Sequence, residues 1–411
     1  MTNNIFSSAD ILLPDFPAGD DRYHTWSVIA CDQFTSEAEY WARCRNVIGD
    51  AESTYNFILP EAYLGTPLAE DHKRIIADSM SRADDIMSKV LAASFVYIER
   101  TLPDGAIRPG IVGKIDLAGY DYSVGSSSPV RATEATVLER IPPRCEVRAS
   151  AAVELPHVML LTDDPDMKMY KTAAAERGKL LYDFELMEGG GHLAGWQITG
   201  ASAEALTAAI SDYEASCTTS AKAPVVYAVG DGNHSLAAAK AHFENLRGSL
   251  GDAALTHPAR YALVEIVSLH SPAIVFEPIY RLVKGCDTAK LMCHIKSLAG
   301  ASSQSVTMIS NGKEKTVSIA TPTHALTVGS LQNIIDAYLL ENNGECDYIH
   351  GTDALEKLAQ APDSVGFLFD GMKKEDLFDY VCAHGSLPRK TFSMGEAKSK
   401  RYYTEARKII I

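Results

Sequence analysis

The hexapeptide Gly-Asp-Gly-Asn-His-Ser at residues 230–235 lies between a run typical of a buried strand and a run typical of a helix. We predict the strand over Val225–Val229 and the helix over Leu236–Leu246. Glycine adopts a positive φ at little cost and lets the backbone approach a ligand closely. The first turn of a helix adds free N–H groups and partial positive charge. This strand–turn–helix unit predicts a chain of mixed α and β structure with a site for phosphate or carboxylate.

The turn matches neither the phosphate-loop pattern Gly-x-x-x-x-Gly-Lys-Ser/Thr nor a complete Gly-x-Gly-x-x-Gly. One interpretation is structural, with Asn233 or Ser235 capping the helix. The other is functional. Asp231 next to a helix N-terminus stays ionised and can hold a metal or accept a proton, and His234 can donate to a phosphate oxygen. The density of polar groups favours the functional interpretation.

Bulk properties narrow the function classes. The net charge of the 411-residue chain is −15, which argues against nucleic acid as a partner because phosphate contacts dominate such binding. No apolar run has bilayer length, so we expect no membrane association. The eight cysteines form no Cys-x-x-Cys, which argues against structural zinc. The first six residues lack the features of a secretory signal, so we expect a cytoplasmic protein, and a homo-oligomer is left open.

Two further groups of residues could contact an anion. The first contains Arg131, Glu134 and Thr136 in an unusually polar stretch, for which a surface ion-pair cluster is the alternative. The second contains Arg389 and Lys390 after Pro388, where two cations suit a phosphate or carboxylate. A solvated basic tail is the alternative there.

Isolated polar residues carry weaker signals. Asp32 follows a strand-like run but has no acidic neighbour close in sequence. His157, His192 and His270 have no zinc-type spacing, and we interpret them as structural. The cations around Lys400 are interpreted as solvated or ligand-facing charges.

Strand and helix patterns alternate irregularly, which favours an α+β fold class. We predict a hairpin of Ser94–Glu99 with Ile107–Asp116, and a long helix over Pro67–Leu91 before it. Two domains are predicted, residues 1–285 with the glycine turn and residues 286–411 as a C-terminal α/β region that contributes the basic loop.

Several segments together resemble a large uncharacterised bacterial family with an Asp-Gly-His/Asn-His signature, related to the ParB/sulfiredoxin-like superfamily. The glycine turn resembles that signature, and Ala30-Cys31-Asp32 resembles the family's Pro-Tyr-Asp. The other matching segments, in order, are residues 55–61, Val130-Arg131 with Glu134-Ala135-Thr136, Asp163-Asp164-Pro165, His192 with Trp196, and Pro388-Arg389-Lys390-Thr391. This chain differs at Ser235, where many relatives carry Arg, and at Thr133, which replaces a His.

The resemblance implies a ParB/sulfiredoxin-like mixed-sheet core and phosphate chemistry. Free serine kinases of that superfamily use an Asp-Gly-x-His turn for phosphate and a nearby Glu as base. Sulfiredoxins phosphorylate a sulfinic acid, but their catalytic Cys is missing from this turn. ParB proteins bind a nucleotide beside DNA.

Our leading hypothesis is a nucleotide-dependent phosphotransferase acting on a small hydroxylated metabolite, with free L-serine first. The alternatives are a ParB-like nucleotide-binding regulator without turnover and a metal-dependent phosphatase or hydrolase. The implied partners are a nucleotide, ATP or ADP, with Mg²⁺. The predicted catalytic residues are Asp231, Glu134 and His234, and Asp231 and Glu134 are also the predicted metal ligands. The predicted phosphate or nucleotide ligands are Gly230, Gly232, Asn233, Ser235, Arg131, Thr136, Arg389 and Lys390.

Overall fold

A computed structural model describes residues 4–218 and 223–411 of the chain. It divides into two compact units. The first unit contains the described residues up to Ile274, together with Phe378–Ser386 and Glu396–Ile411. The second unit contains Val275–Leu377 and Leu387–Gly395. We call Glu396–Ile411 the returning segment, because it brings the chain back to the first unit.

Strands and helices alternate irregularly along the first unit up to residue 274. The strands are β1 (Phe6–Ser7), β2 (Ala9–Leu13), β3 (Val28–Ile29), β4 (Lys89–Thr101), β5 (Ile107–Asp116), β6 (Tyr120–Asp121), β7 (Val130–Ala132), β8 (Val153–Glu154), β9 (Met159–Thr162), β10 (Leu180–Glu185), β11 (His192–Ile198), β12 (Tyr227–Asp231) and β13 (Tyr261–Ser268). The helices are α1 (Arg22–Trp26), α2 (Ala38–Ile48), α3 (Pro67–Ser81), α4 (Ala83–Ile86), α5 (Ile141–Ala149), α6 (Lys168–Ala175), α7 (Ala201–Cys217) and α8 (Asn233–Leu250).

A mixed sheet of eleven strands forms the centre of the first unit. Its order is β10-β11-β4-β5-β13-β9-β12-β7-β6, with β1 added to β5 and β2 added to β4. Strands β7 and β12 are parallel, as are β9 and β13, whereas β9 and β12 are antiparallel. Strand β4 is buried on both faces. Phe95 and Tyr97 belong to one apolar cluster, and Val96 and Ile98 belong to another, as the period of two in a strand requires.

The predicted hairpin is confirmed, since β4 and β5 pair in antiparallel register from Val96↔Val112 to Thr101↔Ile107. The predicted helix over Pro67–Leu91 is wrong at its end. Helix α3 stops at Ser81, α4 adds one short turn, and β4 begins at Lys89. The reason is tertiary, because Leu12 and Leu13 of β2 pair with Val90 and Lys89. Strand pairing here overrides helical spacing.

The second unit contains a smaller antiparallel sheet. Its strands are β14 (Phe276–Lys284), β15 (Ser305–Ser310), β16 (Lys313–Ser318), β17 (Glu345–His350), β18 (Val365–Phe369) and β19 (Phe392–Met394), in the order β16-β15-β18-β14-β17 with β19 added to β14. Its helices are α9 (Thr288–Ser297), α10 (Thr327–Glu341) and α11 (Thr352–Leu358). Helix α12 (Leu377–His384) follows, and the returning segment carries β20 (Tyr402–Tyr403) and β21 (Arg407–Lys408).

The returning segment is fixed inside the first unit by pairing and by buried charge. Strand β20 pairs with β3, and β21 pairs with β8. Arg401 forms ion pairs with Glu265 and Glu405, and all three side chains are at most 3% exposed. Burial opposes the charge of Arg401, but Glu405 and Glu265 outweigh it and raise its pKa. This ion cluster fixes the residues immediately before it as well.

The chain is therefore a mixed α/β protein, in line with the predicted mixture of elements. Twelve α-helices and a mixed sheet occur within the described residues. The ParB/sulfiredoxin-like classification stays a prediction. No helix in the described ranges is long and apolar enough to span a bilayer.

Candidate functional site

The topology of the first unit brings several predicted site residues to one edge of the large sheet. Parallel strands β7 and β12 end there together, with Ala132 in register with Val229. Strand β12 ends at Asp231, and β7 leads directly into the loop of Glu134. Strand β9 runs the opposite way and pairs Met159 with Asp231, so the residue preceding Val158, His157, lies at the same edge. Ligands commonly bind at the carboxyl ends of parallel strands.

The glycine turn, residues 230–235, has a conformation that requires glycine. Gly232 has a φ of 78° and is the N-cap of the 18-residue helix α8. A Cβ at this position would lie 3.0 Å from both the Cα and the Cγ2 of Val158. The N-cap is Gly232, so neither Asn233 nor Ser235 occupies the capping position that the structural interpretation gives them. Gly230 precedes Asp231 within β12.

Three oxygen atoms at the turn and its neighbouring loop are buried without a hydrogen-bond partner: Asp231 Oδ2, Asn233 Oδ1 and Thr136 Oγ1. The other carboxylate oxygen of Asp231 accepts from the Gly232 N–H at 3.0 Å. Buried polar atoms are normally satisfied, and exceptions point to strain or to an absent ligand. Carboxylate, amide and hydroxyl oxygens suit a hard cation such as Mg²⁺ or a hydrogen-bond donor of a substrate.

His234 joins the turn to the loop of Glu134. The Val137 backbone N–H donates to His234 Nε2 at 3.3 Å, so this nitrogen is an acceptor and the ring proton lies on Nδ1. Thr136 immediately precedes Val137 and thereby lies beside the turn. Glu134, three residues before Val137, is half-buried. The loop that carries Glu134 and Thr136, two predicted ligands, therefore lies next to the glycine turn.

Lys400 of the returning segment provides the cation nearest to Asp231 that the structure describes. Its Nζ lies 3.7 Å from Asp231 Oδ2, and both side chains are largely buried, at 13% and 14% exposure. Sequence reasoning missed this contact because Lys400 is far from Asp231 in the chain. The Lys-rich run around Lys400 is the signal that could have pointed to it.

Asp32 also belongs to this site. Burial would raise its pKa, but His157, the Gln33 side chain and Lys400 outweigh burial and lower it. The residue is therefore an ionised carboxylate among these groups. In the sequence Asp32 looks isolated, although the resemblance to the family's Pro-Tyr-Asp pointed to it. His157, interpreted as structural, is 6% exposed and contacts Ser235, so it also lies at the site.

Arg131, a predicted phosphate ligand, is buried and its guanidinium contacts backbone carbonyls. It is 4% exposed, and its guanidinium donates to Ser128 O at 2.7 Å and Ala223 O at 2.6 Å. Burial lowers its pKa. Both contacts are with backbone carbonyls, which gives Arg131 a clear role in holding the loop before β7. Phosphate binding by Arg131 stays a prediction.

Arg389 and Lys390 lie in the second unit, in the turn Pro388–Thr391, which we call the basic loop. Arg281, which is fully buried, donates to the carbonyls of Arg389 at 3.0 Å and Lys390 at 3.1 Å. The side chains of Arg389 and Lys390 are exposed. Phosphate binding by Arg389 and Lys390 stays a prediction, and both residues belong to the second unit.

Asp231 and Glu134 are the side chains predicted to hold a metal ion. Within residues 4–218 and 223–411, no group of three or more His, Cys, Asp or Glu side chains is arranged to hold a metal ion. Asp231 and Glu134 as ligands of Mg²⁺ therefore stay a prediction, for which Asn233 and Thr136 offer additional oxygens.

Sequence comparison assigns the chain to a family. Residues 16–339 match the model of DUF1015, a protein of unknown function, and the chain belongs to that family. The predicted membership of an uncharacterised family is thus confirmed, whereas the relation to the ParB/sulfiredoxin-like superfamily stays a prediction. A comparison with curated protein sequences finds none that matches.

Comparison with solved structures finds weak similarity over much of the chain. A free serine kinase mutant in complex with ADP is 13% identical with a TM-score of 0.36, over 71% of this chain and 92% of that one. C-terminally truncated SbnI from Staphylococcus aureus is 9% identical with a TM-score of 0.35, over 69% and 82%. A conserved hypothetical protein from Pyrococcus furiosus is 12% identical with a TM-score of 0.32, over 69% and 91%. These values are too low to assign fold or activity.

Proposed function

We propose that this protein is a nucleotide-dependent phosphotransferase that acts on a small hydroxylated metabolite, with free L-serine as the first candidate. The observation that supports it most is the glycine turn. Gly232 opens a helix N-terminus with a φ of 78°, and Asp231 Oδ2 and Asn233 Oδ1 beside it are buried without hydrogen-bond partners. Backbone N–H groups at such a turn suit the phosphates of a nucleotide.

The charges around the turn suit phosphoryl transfer, in which catalysis consists mainly of positioning and electrostatic stabilisation. Lys400, 3.7 Å from Asp231, neutralises charge that develops on the transferred group. The N–H groups of Gly232 and Asn233 and the side chain of His234 hold phosphate oxygens. Glu134 accepts the proton of the substrate hydroxyl. This assignment adds Lys400 to the cations expected from the sequence.

Mg²⁺ enters with the nucleotide in this proposal. The site offers oxygen donors of the hard type that Mg²⁺ prefers, namely Asp231 Oδ2, Asn233 Oδ1 and Thr136 Oγ1. Glu134 on the neighbouring loop supplies a second carboxylate. The ion, when bound, neutralises charge on the phosphate oxygens.

A coupled assay tests the proposal with ATP or ADP against a panel of hydroxylated metabolites that begins with L-serine. We expect phosphorylated product from wild type, and a loss of at least about 100-fold in Asp231→Asn and Glu134→Gln. The exposed residues Asp252→Asn and Glu204→Gln are matched controls and should retain wild-type rates. Wild-type activity in both site variants would refute the assignment.

The same assay separates the alternative functions. Tight nucleotide binding by calorimetry without product would identify a regulator instead. Release of inorganic phosphate from phosphoserine without nucleotide would identify a phosphatase.

A further inference from the structure

A chain of hydrogen bonds leads from the glycine turn into the core of the first unit. Ser235 Oγ lies 3.0 Å from His157 Nε2. The other ring nitrogen of His157, Nδ1, lies 2.7 Å from the Tyr403 hydroxyl. Tyr403 is 2% exposed and belongs to the returning segment, whereas Ser235 is half-buried in the first turn of α8. A hydroxyl, an imidazole and an orienting group in this order are the usual components of an activated nucleophile.

Each ring nitrogen of His157 has one hydroxyl neighbour. The Cys31 backbone N–H donates to the Tyr403 oxygen at 3.2 Å, and burial raises the pKa of Tyr403 well above its usual range, so the phenol stays protonated. In the tautomer with the ring proton on Nδ1, that N–H donates to the Tyr403 oxygen and Nε2 is the acceptor that faces Ser235, which is the form that a general base requires.

Asp32 completes the electrostatics of this arrangement. Its carboxylate is ionised and interacts electrostatically with His157. The proton has a direct route, because Ser235 and His157 are within hydrogen-bond distance. A purely structural histidine needs only its two hydrogen bonds and no nearby carboxylate.

We propose that Ser235 is a nucleophile that receives the phosphoryl group before the substrate does, with His157 as its general base and Tyr403 as the residue that positions His157. This inference rests on the proposed function. In the first step Ser235 Oγ forms a bond to the γ-phosphorus of ATP, the bond from that phosphorus to the bridging oxygen breaks, and ADP leaves with the electron pair. The Ser235 proton passes to His157 Nε2.

The second step transfers the phosphoryl group to the substrate. The substrate hydroxyl oxygen attacks the phosphorus of phosphoserine, and its proton passes to Glu134. The bond from phosphorus to Ser235 Oγ breaks, and Oγ takes back the proton from His157. Glu134 then releases its proton to solvent, which returns the enzyme to its starting state. Two displacements at phosphorus predict a ping-pong reaction in which the first half proceeds without any acceptor.

Isotope exchange between labelled ADP and ATP without acceptor tests the first step on the full-length protein. We expect exchange in wild type and one phosphate on the Ser235 peptide by mass spectrometry. Ser235→Ala should abolish both, and His157→Gln should slow exchange by about 100-fold or more. Ser249→Ala, an exposed serine of the same helix, is the matched control and should exchange at the wild-type rate. Circular dichroism of each variant checks that it is folded.

The outcomes separate this inference from the proposed function. Transfer to substrate at a wild-type rate in Ser235→Ala, without exchange in wild type, would overturn the nucleophile and leave the phosphotransferase standing. Absence of both transfer and exchange would refute the phosphotransferase. A fluorophosphonate probe then tests, without any nucleotide, whether Ser235 is an activated nucleophile. Labelling of Ser235 that is lost in His157→Gln supports an activated nucleophile, and an unlabelled Ser235 overturns it.

Discussion

The glycine turn of the first unit and the basic loop of the second are both tight bends with a positive φ, yet they are built in opposite ways. The bend at Gly232 has a φ of 78°, and the bend at Lys390 has a φ of 55°. Gly232 has no room for a side chain, whereas Lys390 carries one that is exposed. The carbonyls of the basic loop are satisfied by buried Arg281. Among the described residues, Asp231 Oδ2 and Asn233 Oδ1 have no hydrogen-bond partner.

The two bends thus differ in hydrogen bonding. Arg281 satisfies the carbonyls of the basic loop, whereas two oxygens of the glycine turn have no partner within the described residues. An unsatisfied buried polar group costs about 1–3 kcal/mol, so these oxygens favour a place where a ligand or water completes the hydrogen bonds. The basic loop presents cations to solvent on a backbone whose carbonyls are already bonded. Both bends stay predicted anion sites, and the unsatisfied atoms are the observation that favours the glycine turn.

The largest effect is expected from Arg401→Met, which tests whether the glycine turn depends on the returning segment. The substitution leaves Glu265 and Glu405 buried and without their shared partner, which should cost about 3–5 kcal/mol of unfolding free energy. Urea denaturation measures the loss. Arg74→Met, which removes an exposed pair with Asp71, should change stability by less than about 0.5 kcal/mol. A loss below about 1 kcal/mol for Arg401→Met would contradict this expectation.

Gly232→Ala comes next and tests the conformation of the glycine turn directly. A Cβ would lie 3.0 Å from Val158 Cα, and alanine at this φ is strained as well, so we expect a loss of about 2–4 kcal/mol. Gly248→Ala is the matched control within the same helix. Its Cβ meets nothing within 4 Å, so it should stabilise the protein by about 0.5–1 kcal/mol. Equal effects of the two substitutions in thermal or urea denaturation would show that the turn does not need glycine.

Lys400→Met separates function from stability at the same turn. The pair with Asp231 is largely buried but 3.7 Å long, so its loss should lower the unfolding free energy by about 1–3 kcal/mol, less than the loss of Arg401. Nucleotide affinity should fall by about 10-fold to 100-fold, since hydrogen bonds to charged groups contribute about 1.5–3 kcal/mol. Calorimetric titration with ATP measures the affinity. Unchanged affinity would remove Lys400 from the site.

The smallest effect is expected from Lys390→Gly, which applies the opposite change to the basic loop. Glycine relieves the left-handed strain at this position but makes the unfolded chain more flexible, so the two effects nearly cancel. We expect a change in unfolding free energy within about 1 kcal/mol, measured by urea denaturation. A loss above about 2 kcal/mol would mean that the loop is held by its lysine and not by Arg281.

The sequence predicts those parts of the fold that short-range patterns determine. The hairpin around Leu102–Gly105 follows from two strand-like runs separated by a turn signal. The strand and helix around the glycine turn follow from the runs on either side of it, although β12 extends to Asp231 and α8 begins at Asn233. Short-range patterns do not predict that the helix ends at Ser81, because this end depends on the pairing of β4 with β2, which is far away in the chain. Local spacing alone continues the helix too far.

The residues of the candidate site also fall into two groups, those that a local motif predicts and those that only tertiary contacts bring together. Gly232 and Asp231 are found from a local motif. His157 and Tyr403 are not, since they are 246 residues apart and become neighbours only in the folded protein. The sequence leaves Lys400 as either a solvated or a ligand-facing charge, because nothing in it reveals that the neighbouring Arg401 is buried. The missed groups all depend on tertiary contacts, and several lie on the returning segment.

The pairing of β3 with β20 has a consequence for how the polypeptide is made. The indole N–H of Trp26 donates to Thr404 O at 2.9 Å, across 378 residues of sequence. A ribosome must therefore release the chain as far as residue 404 before β3 meets its partner. Contacts between residues so far apart in the sequence form slowly, because a long loop has to close. The part of the first unit that contains β3 is thus completed only after translation has passed residue 404.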